Sequence, residues 1–158
     1  GGVSVAIAPA KGYSISVPMA GWDNPPRHMI ADMGIHAGIN PLGDVLRVAG
    51  TAEFCSINKT GISEERTQYL IDLVEEIFPE FAQNMDPATI DPWGGFRPLS
   101  ADGLPYIGES RVKNVYLNTG HGGLGWTQGA GSSKALADLL AGVTPEFELD
   151  DYSAQRFS

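Results

Sequence analysis

The sequence predicts an α+β fold: a largely antiparallel sheet with a helix packed on it, then a short strand, a glycine-rich loop and a second helix. Three observations carry this expectation. Tyr13, Ile15 and Val17 alternate with Ser14 and Ser16, the period of a half-buried strand, and further short apolar runs follow. Leu70, Ile71, Val74, Ile77 and Phe78 recur at helical spacing. The apolar run from Val115 to Asn118 leads through a glycine-rich stretch, residues 120–131, into a second helical pattern.

The elements follow in order. Residues 12–19 form the first strand. Residues 20–27, ending Pro25-Pro26-Arg27, read as a loop. A second strand is expected over residues 28–35 and a turn at Asn40-Pro41-Leu42-Gly43. Residues 44–49 and 51–55 are two further strands, with Gly50 as a bulge or corner between them. Ser63 can cap a helix whose first turn carries Glu64 and Glu65, where the helix dipole favours acid, and which ends before Pro79. A strand ends near Arg97, and residues 99–108 form a loop. The last helix spans 132–141, with Leu136, Leu139 and Leu140 on one face and Gly142 as its stop. The acidic and polar tail from Thr144 is expected to be loosely held.

Composition removes several function classes. The 158 residues, a length that on its own suggests one domain, carry 10 Lys plus Arg against 19 Asp plus Glu, a net charge of −9. Such a chain repels phosphate backbones, so no nucleic-acid partner is expected. Cys55 is the one cysteine, which excludes an internal disulfide and multi-cysteine zinc patterns and agrees with a reducing, cytoplasmic compartment. His28, His36 and His121 share no metal-ligand spacing, so no metal site is expected; His28 and His36 read as strand residues. No Gly-x-Ser-x-Gly occurs to support a serine nucleophile.

Two stretches carry chemistry. Gly120-x-Gly122-x-x-Gly125 follows a strand and precedes a helix, which lets backbone approach a ligand and offers free N–H groups to negative charge. The helix stops at Gly142 with no apolar strand ending in an acid after it, so this is not the opening unit of a dinucleotide fold. A glycine-rich turn without a ligand is the plain alternative. Arg97, in Trp93-Gly-Gly-Phe-Arg-Pro-Leu99, is suited to bidentate capture of a carboxylate. A structural Arg tied to Asp91, Asp102 or a backbone carbonyl is the other reading, and the residues alone leave both open.

Taken together, Gly95-Phe-Arg-Pro-Leu-Ser-Ala-Asp-Gly-Leu-Pro-Tyr-Ile-Gly108 and Asn114-Val-Tyr-Leu-Asn-Thr-Gly-His-Gly-Gly-Leu-Gly-Trp-Thr127 resemble the C-terminal part of FAD-dependent D-amino acid dehydrogenases, within the D-amino acid oxidase-like flavoproteins. Lys11-Gly-Tyr-Ser-Ile-Ser-Val17 and the helix ending Ile77-Phe-Pro79 extend the resemblance over about residues 10–142. It implies a hydride transfer from the amino acid Cα to flavin N5, with the imino acid hydrolysing to a 2-oxo acid and ammonia. It implies FAD as cofactor, Arg97 on the substrate carboxylate and Tyr106 in the substrate pocket. It lays Gly120, His121, Gly122, Gly123, Leu124, Gly125, Trp126 and Thr127 along the flavin, the helix start lying near the ring's pyrimidine side. No general base is evident, in agreement with hydride transfer from a neutral amine.

The resemblance also implies an organisation. Residues 1–95 would belong to the substrate domain, 96–145 to the C-terminal segment of an FAD-binding domain, and 146–158 to a tail. The strand, Gly-x-Gly-x-x-Gly turn and ribose-binding acid with which such enzymes open do not occur here, and residues 21–27 depart from the family's pattern. The expectation is a C-terminal portion of a longer chain that needs the remainder of the FAD domain for full function. A quinone is the electron acceptor expected by analogy, with the protein cytoplasmic and peripheral to the cytoplasmic membrane. The competing readings are an oxygen-using oxidase of the glycine or sarcosine type, a non-catalytic binding or assembly module, and an independent phosphate-ligand binder using the Gly120 loop.

Overall fold

The computed structural model describes residues 2–157. Contacts divide the chain into two compact units, Lys11–Phe96 on the one hand and Gly1–Ala10 with Arg97–Ser158 on the other. The first ten residues and the tail therefore fold with the C-terminal segment, where 1–95 and 146–158 were expected to stand apart from it. The elements are helices and antiparallel strands, as the α+β expectation required.

A five-stranded sheet has the order β2-β3-β4-β1-β5, from β1 (Ile7–Pro18), β2 (Ile30–Asp32), β3 (Ala37–Leu42), β4 (Val45–Phe54) and β5 (Asp91–Ser100). Strands β2, β3 and β4 form an antiparallel meander with Ile30 opposite Ile39 and Ile39 opposite Val48. Helix α1 (Glu64–Ile77) covers one face. Tyr13, Ile15 and Val17 of β1, Ile39 of β3, and Leu46 and Val48 of β4 form one buried cluster with Leu70, Leu73 and Val74 of α1. Each of these large aliphatic side chains contributes about 1.5–3 kcal/mol by leaving water. The Ser63 side chain caps α1 by accepting from the Arg66 N–H at 3.4 Å, with Glu64 and Glu65 in the first turn. A short helix, α2 (Pro79–Ala82), follows, and Trp22 stacks on its Phe81 with ring centroids 4.0 Å apart.

Several expectations are corrected here. The strand expected at 28–35 is only Ile30–Asp32; a turn at residues 33–36 folds the chain back, with His36 at φ 52°. Neither His28 nor His36 is therefore a strand residue. Asn40, Pro41 and Leu42 belong to β3 and not to a turn. Beyond Ile39 that side of β3 has no β2 partner, so the N–H that Pro41 lacks is not needed there. Strand β4 runs unbroken through Gly50, and the left-handed residue is Thr51 at φ 57°. Gly50 serves close approach instead: a Cβ there would lie 3.3 Å from Leu70 Cδ2 of α1 and 3.2 Å from Ala37 Cβ.

Lys11 breaks the alternation of β1. It is 1% exposed, donates to the carbonyls of Lys59 and Gly61, and lies 5.4 Å from the Tyr13 ring and 5.5 Å from the Phe96 ring. A buried ammonium persists only when its protons and charge are met in this way. The Tyr13 hydroxyl donates to Glu53 Oε1 at 2.6 Å, and Lys59 pairs with the same carboxylate at 3.2 Å.

In the other unit β6 (Tyr106–Glu109) and β7 (Tyr116–Thr119) pair antiparallel, and α3 spans Gly125–Leu140. Strand β5 extends to Ser100 and β6 begins at Tyr106, so only residues 101–105 remain of the loop expected over 99–108. Helix α3 starts seven residues before the expected Ser132, absorbing Gly125, Gly129 and Gly131. The cost of these glycines, about 1 kcal/mol each against alanine, does not prevent a helix that tertiary contacts hold. Its buried residues are Ser132 and Ala135; on the apolar face Leu139 and Leu140 are exposed at 38% and 57%. Gly142, at φ 70°, ends the helix as expected, with the Val143 N–H on the Asp138 carbonyl at 2.8 Å.

Burial first, and then the hydrogen bond to the Glu53 carboxylate, push the Tyr13 phenol from 10.0 up to about 12. The neutral phenol is the form the fold prefers. Its contribution is complete below pH 10 and is lost as pH rises from 10 to about 12. Tyr13→Phe should lower stability at neutral pH by about 1 kcal/mol and should show a shallower loss of stability than the native chain over that alkaline window. Urea unfolding at a series of pH values checks both.

Candidate functional site

The strand–loop–helix over residues 116–140 builds one wall of the site. After β7 the chain turns at Gly120 (φ 84°), passes a single 3-10 turn over Gly122–Leu124, and enters α3 without a side-chain cap. A helix start of this kind leaves N–H groups free and a positive potential beside the loop. His121 forms a backbone bridge with Leu99 at the end of β5, which ties the loop to that strand.

Two glycines are sterically required. A Cβ on Gly120 would sit 3.2 Å from Tyr106 Cδ2, and one on Gly122 only 2.8 Å from Leu99 Cδ2, both at positive φ. Gly123 lies against Arg97: its absent Cβ would be 3.8 Å from Arg97 Cδ and 3.9 Å from Arg97 Nε. The fold thus brings Arg97, half-buried on β5, alongside the glycine loop, two features separated by 26 residues in sequence. Leu124, Trp126 and Thr127 are exposed, Trp126 at 99%, while His121, Gly122 and Gly125 are half-buried.

Tyr106 does not sit as the sequence suggested. It is 1% exposed, its hydroxyl accepts from the Ala6 N–H at 3.1 Å, and the Arg156 guanidinium lies 3.8 Å from its ring centroid. Its geometry is that of a floor beneath Gly120 and not of a group open to substrate. The tail, expected to be loose, is clamped by the same Arg156. That residue pairs bidentately with Asp102, Nε–Oδ2 at 2.8 Å and Nη2–Oδ1 at 2.9 Å, and donates to the Leu104 carbonyl at 2.7 Å. The hydrogen bonds from Arg156 hold the Asp102 carboxyl down to about 2. Asp102, one of the candidate partners for Arg97, is thus engaged by Arg156.

Two serines were not singled out from sequence. Ser132, buried on α3, has its Oγ 3.1 Å from His121 Nε2 and 3.2 Å from the Gly129 carbonyl. Ser100 is buried with its Cβ 3.6 Å from the position a Gly120 Cβ would take, and its Oγ has no partner among the described residues. Helical spacing carries the only signal for Ser132, and it becomes readable once α3 is known to begin at Gly125. Among the described residues no group of three His, Cys, Asp or Glu could hold a metal ion.

A glycine loop at a helix start, walled by an arginine, suits an anionic ligand on a mixed α and β scaffold. The chain belongs to the FAD-dependent oxidoreductase family, whose model matches residues 2–139. Over 157 residues it is 38% identical to the D-amino acid dehydrogenase of Granulibacter bethesdensis, a match that covers 99% of this chain and 37% of the relative. The chain thus spans a little over a third of the length of that curated relative. Its fold is similar to those of the glycine oxidase from Geobacillus kaustophilus (TM-score 0.85, 22% identity, 98% of this chain and 40% of that one) and the L-amino acid deaminase from Proteus vulgaris (TM-score 0.74, 23% identity, 98% and 38%). FAD is the family's cofactor. The residues present fit part of it: side chains at Gly120 and Gly122 would collide with the loop's own support, and Leu124, Trp126 and Thr127 after them are exposed.

Since Arg156 holds both the tail and the Tyr106 floor, its pairing with Asp102 should be pH-sensitive. The Asp102 carboxyl is depressed from 3.8 to about 2, so the pair's contribution is present above about pH 4 and is lost as pH falls toward 2. Arg156→Gln should weaken this acid dependence, leaving the part owed to the Leu104 N–H on Asp102, and speed amide exchange over residues 150–156 at neutral pH, as read by hydrogen exchange.

Proposed function

We propose that this chain takes part in the FAD-dependent oxidation of D-amino acids to 2-oxo acids and ammonia, with Arg97 binding the substrate carboxylate. The placement of Arg97 against Gly123 carries the reading, because it sets a carboxylate-binding cation beside the loop expected to meet the flavin. The identity to a D-amino acid dehydrogenase supports the D-amino acid class.

FAD, when bound, supplies the two-electron acceptor for the hydride leaving the substrate Cα. The residues of this chain bind and orient. The guanidinium of Arg97 can fix the substrate carboxylate by two parallel hydrogen bonds, which sets the position of the Cα attached to it. Gly120 and Gly122 keep the loop close to its support, leaving its outer face open to the cofactor. The uncapped start of α3 favours negative charge beside it, the charge that develops as a flavin is reduced. No residue of the site needs to act as a general base when the amine reacts in its neutral form.

The electron acceptor is proposed to be a quinone, and the protein a cytoplasmic one working at the membrane surface. The dehydrogenase relative supports this over an oxygen-using reaction. No helix among the described residues is long and apolar enough to cross a membrane.

In the FAD-loaded holoenzyme, Arg97→Ala should raise KM for a D-amino acid on the order of 10²-fold, about 3 kcal/mol of lost binding, with flavin absorbance per protein unchanged. Parallel loss of flavin and activity would assign Arg97 to structure instead. Turnover with a soluble quinone analogue should exceed oxygen consumption by at least about tenfold, a margin of about 1.4 kcal/mol in barrier. Equal rates would favour the oxidase reading.

A further inference from the structure

The Ser132 hydroxyl joins two groups, and the chemistry of one fixes its relation to the other. Ser132 is 4% exposed on α3, with Oγ 3.2 Å from the Gly129 carbonyl and 3.1 Å from His121 Nε2. A carbonyl oxygen can only accept, so that contact is a hydrogen bond only if the hydroxyl donates its single proton there. Serine inside a helix makes this bond to the preceding turn readily. An imidazole nitrogen can take either role. Both contacts are satisfied together only when Nε2 carries the hydrogen and donates it to Ser132 Oγ. A neutral imidazole has one N–H, so Nδ1 keeps a bare lone pair. No hydrogen bond to Nδ1 is made by any described residue, and His121, with Gly120 and Gly122 as its neighbours in the chain, is half-buried.

We propose that Ser132 is a positioning residue that locks His121 as the Nε2–H tautomer and presents Nδ1 as an acceptor for an N–H or O–H donor on the ligand bound along residues 120–127. The tautomer lock stands on the hydrogen bonds of this chain alone. The choice of FAD as donor rests on the proposed function above. The lock adds a specificity element that the glycines cannot supply, since an acceptor of fixed direction rejects a ligand that places a carbonyl at the same point. It also explains why a polar residue lies on the buried side of α3, where an alanine would pack without needing a partner.

The test is the ring nitrogen spectrum of the ¹⁵N-labelled holoenzyme, before and after removal of FAD, at a pH where the ring is neutral. His121 should show a protonated Nε2, an unprotonated Nδ1, and a slowly exchanging Nε2–H proton resonance. That resonance should disappear in Ser132→Ala and return in Ser132→Thr, which keeps the hydroxyl. A protonated Nδ1 in the native chain, or an Nε2–H resonance that persists in the alanine variant, would overturn the lock. With FAD bound, as read by its absorbance, the Nδ1 resonance should move away from its position in the stripped protein. An unmoved Nδ1 with FAD present would overturn the acceptor role. A protein that takes up no FAD would instead overturn the cofactor reading and FAD as the donor, while the tautomer is decided by the first spectrum.

Discussion

The contact between the Tyr106 ring and Gly120 is the constraint on which the candidate site depends. Tyr106 is held from three sides: by its β6 pairing, by the Ala6 backbone at its hydroxyl, and by the Arg156 guanidinium over its ring. It therefore cannot retreat from the loop. The chain can pass over it only without a Cβ and only at positive φ, which Gly120 alone among common choices permits without strain. The next residues inherit their position. His121 bridges to Leu99, Gly122 clears the Leu99 side chain, and Gly123 comes to rest by Arg97. The packing of one buried aromatic ring thus sets where a cation and a helix start meet, twenty or more residues apart in sequence.

The sheet unit shows the same economy of polar groups in its interior. Lys11 is buried, but two backbone carbonyls and two aromatic rings surround its ammonium. Its carbonyl partners, Lys59 and Gly61, lie in the connection between β4 and α1, so the charge fastens the approach to the helix that covers the sheet. Tyr13 is buried beside it and meets its hydroxyl's need with Glu53. The two lie two residues apart on β1, so alternation puts both on the buried face with Ile15 and Val17, and each must find its partners inside.

The resemblance carried by the Arg97 and Gly120 stretches was legible in the residues, and the family match to 2–139 bears it out. Helix α1 was legible too, because Ser63, Glu64, Glu65 and the apolar stripe all argue for the same boundaries. The start of α3 was not, since three glycines between 125 and 131 mimic a loop in any local measure. Leu139 and Leu140 show a further limit: helical spacing marks an apolar stripe but not what covers it. The tail was hidden because Arg156 finds Asp102 across 54 residues, and no local pattern announces such a pair. Tyr106 was placed in the wrong role because a tyrosine in a ligand-linked stretch reads the same whether its hydroxyl meets a ligand or the Ala6 backbone.

The sequence by itself determined the residue types of the candidate site and their order along the chain: an arginine in a Gly-x-Arg-Pro element, and a glycine loop between a strand and a helix. These are local properties, written in spacing and in the conformations that glycine, proline and branched side chains allow. Only the tertiary structure decided which of them meet. It put Arg97 beside Gly123, turned Tyr106 into a support, fastened the tail through Arg156 and joined Ser132 to His121. Each of these follows from burial and hydrogen-bond satisfaction between distant segments, which no window of sequence contains.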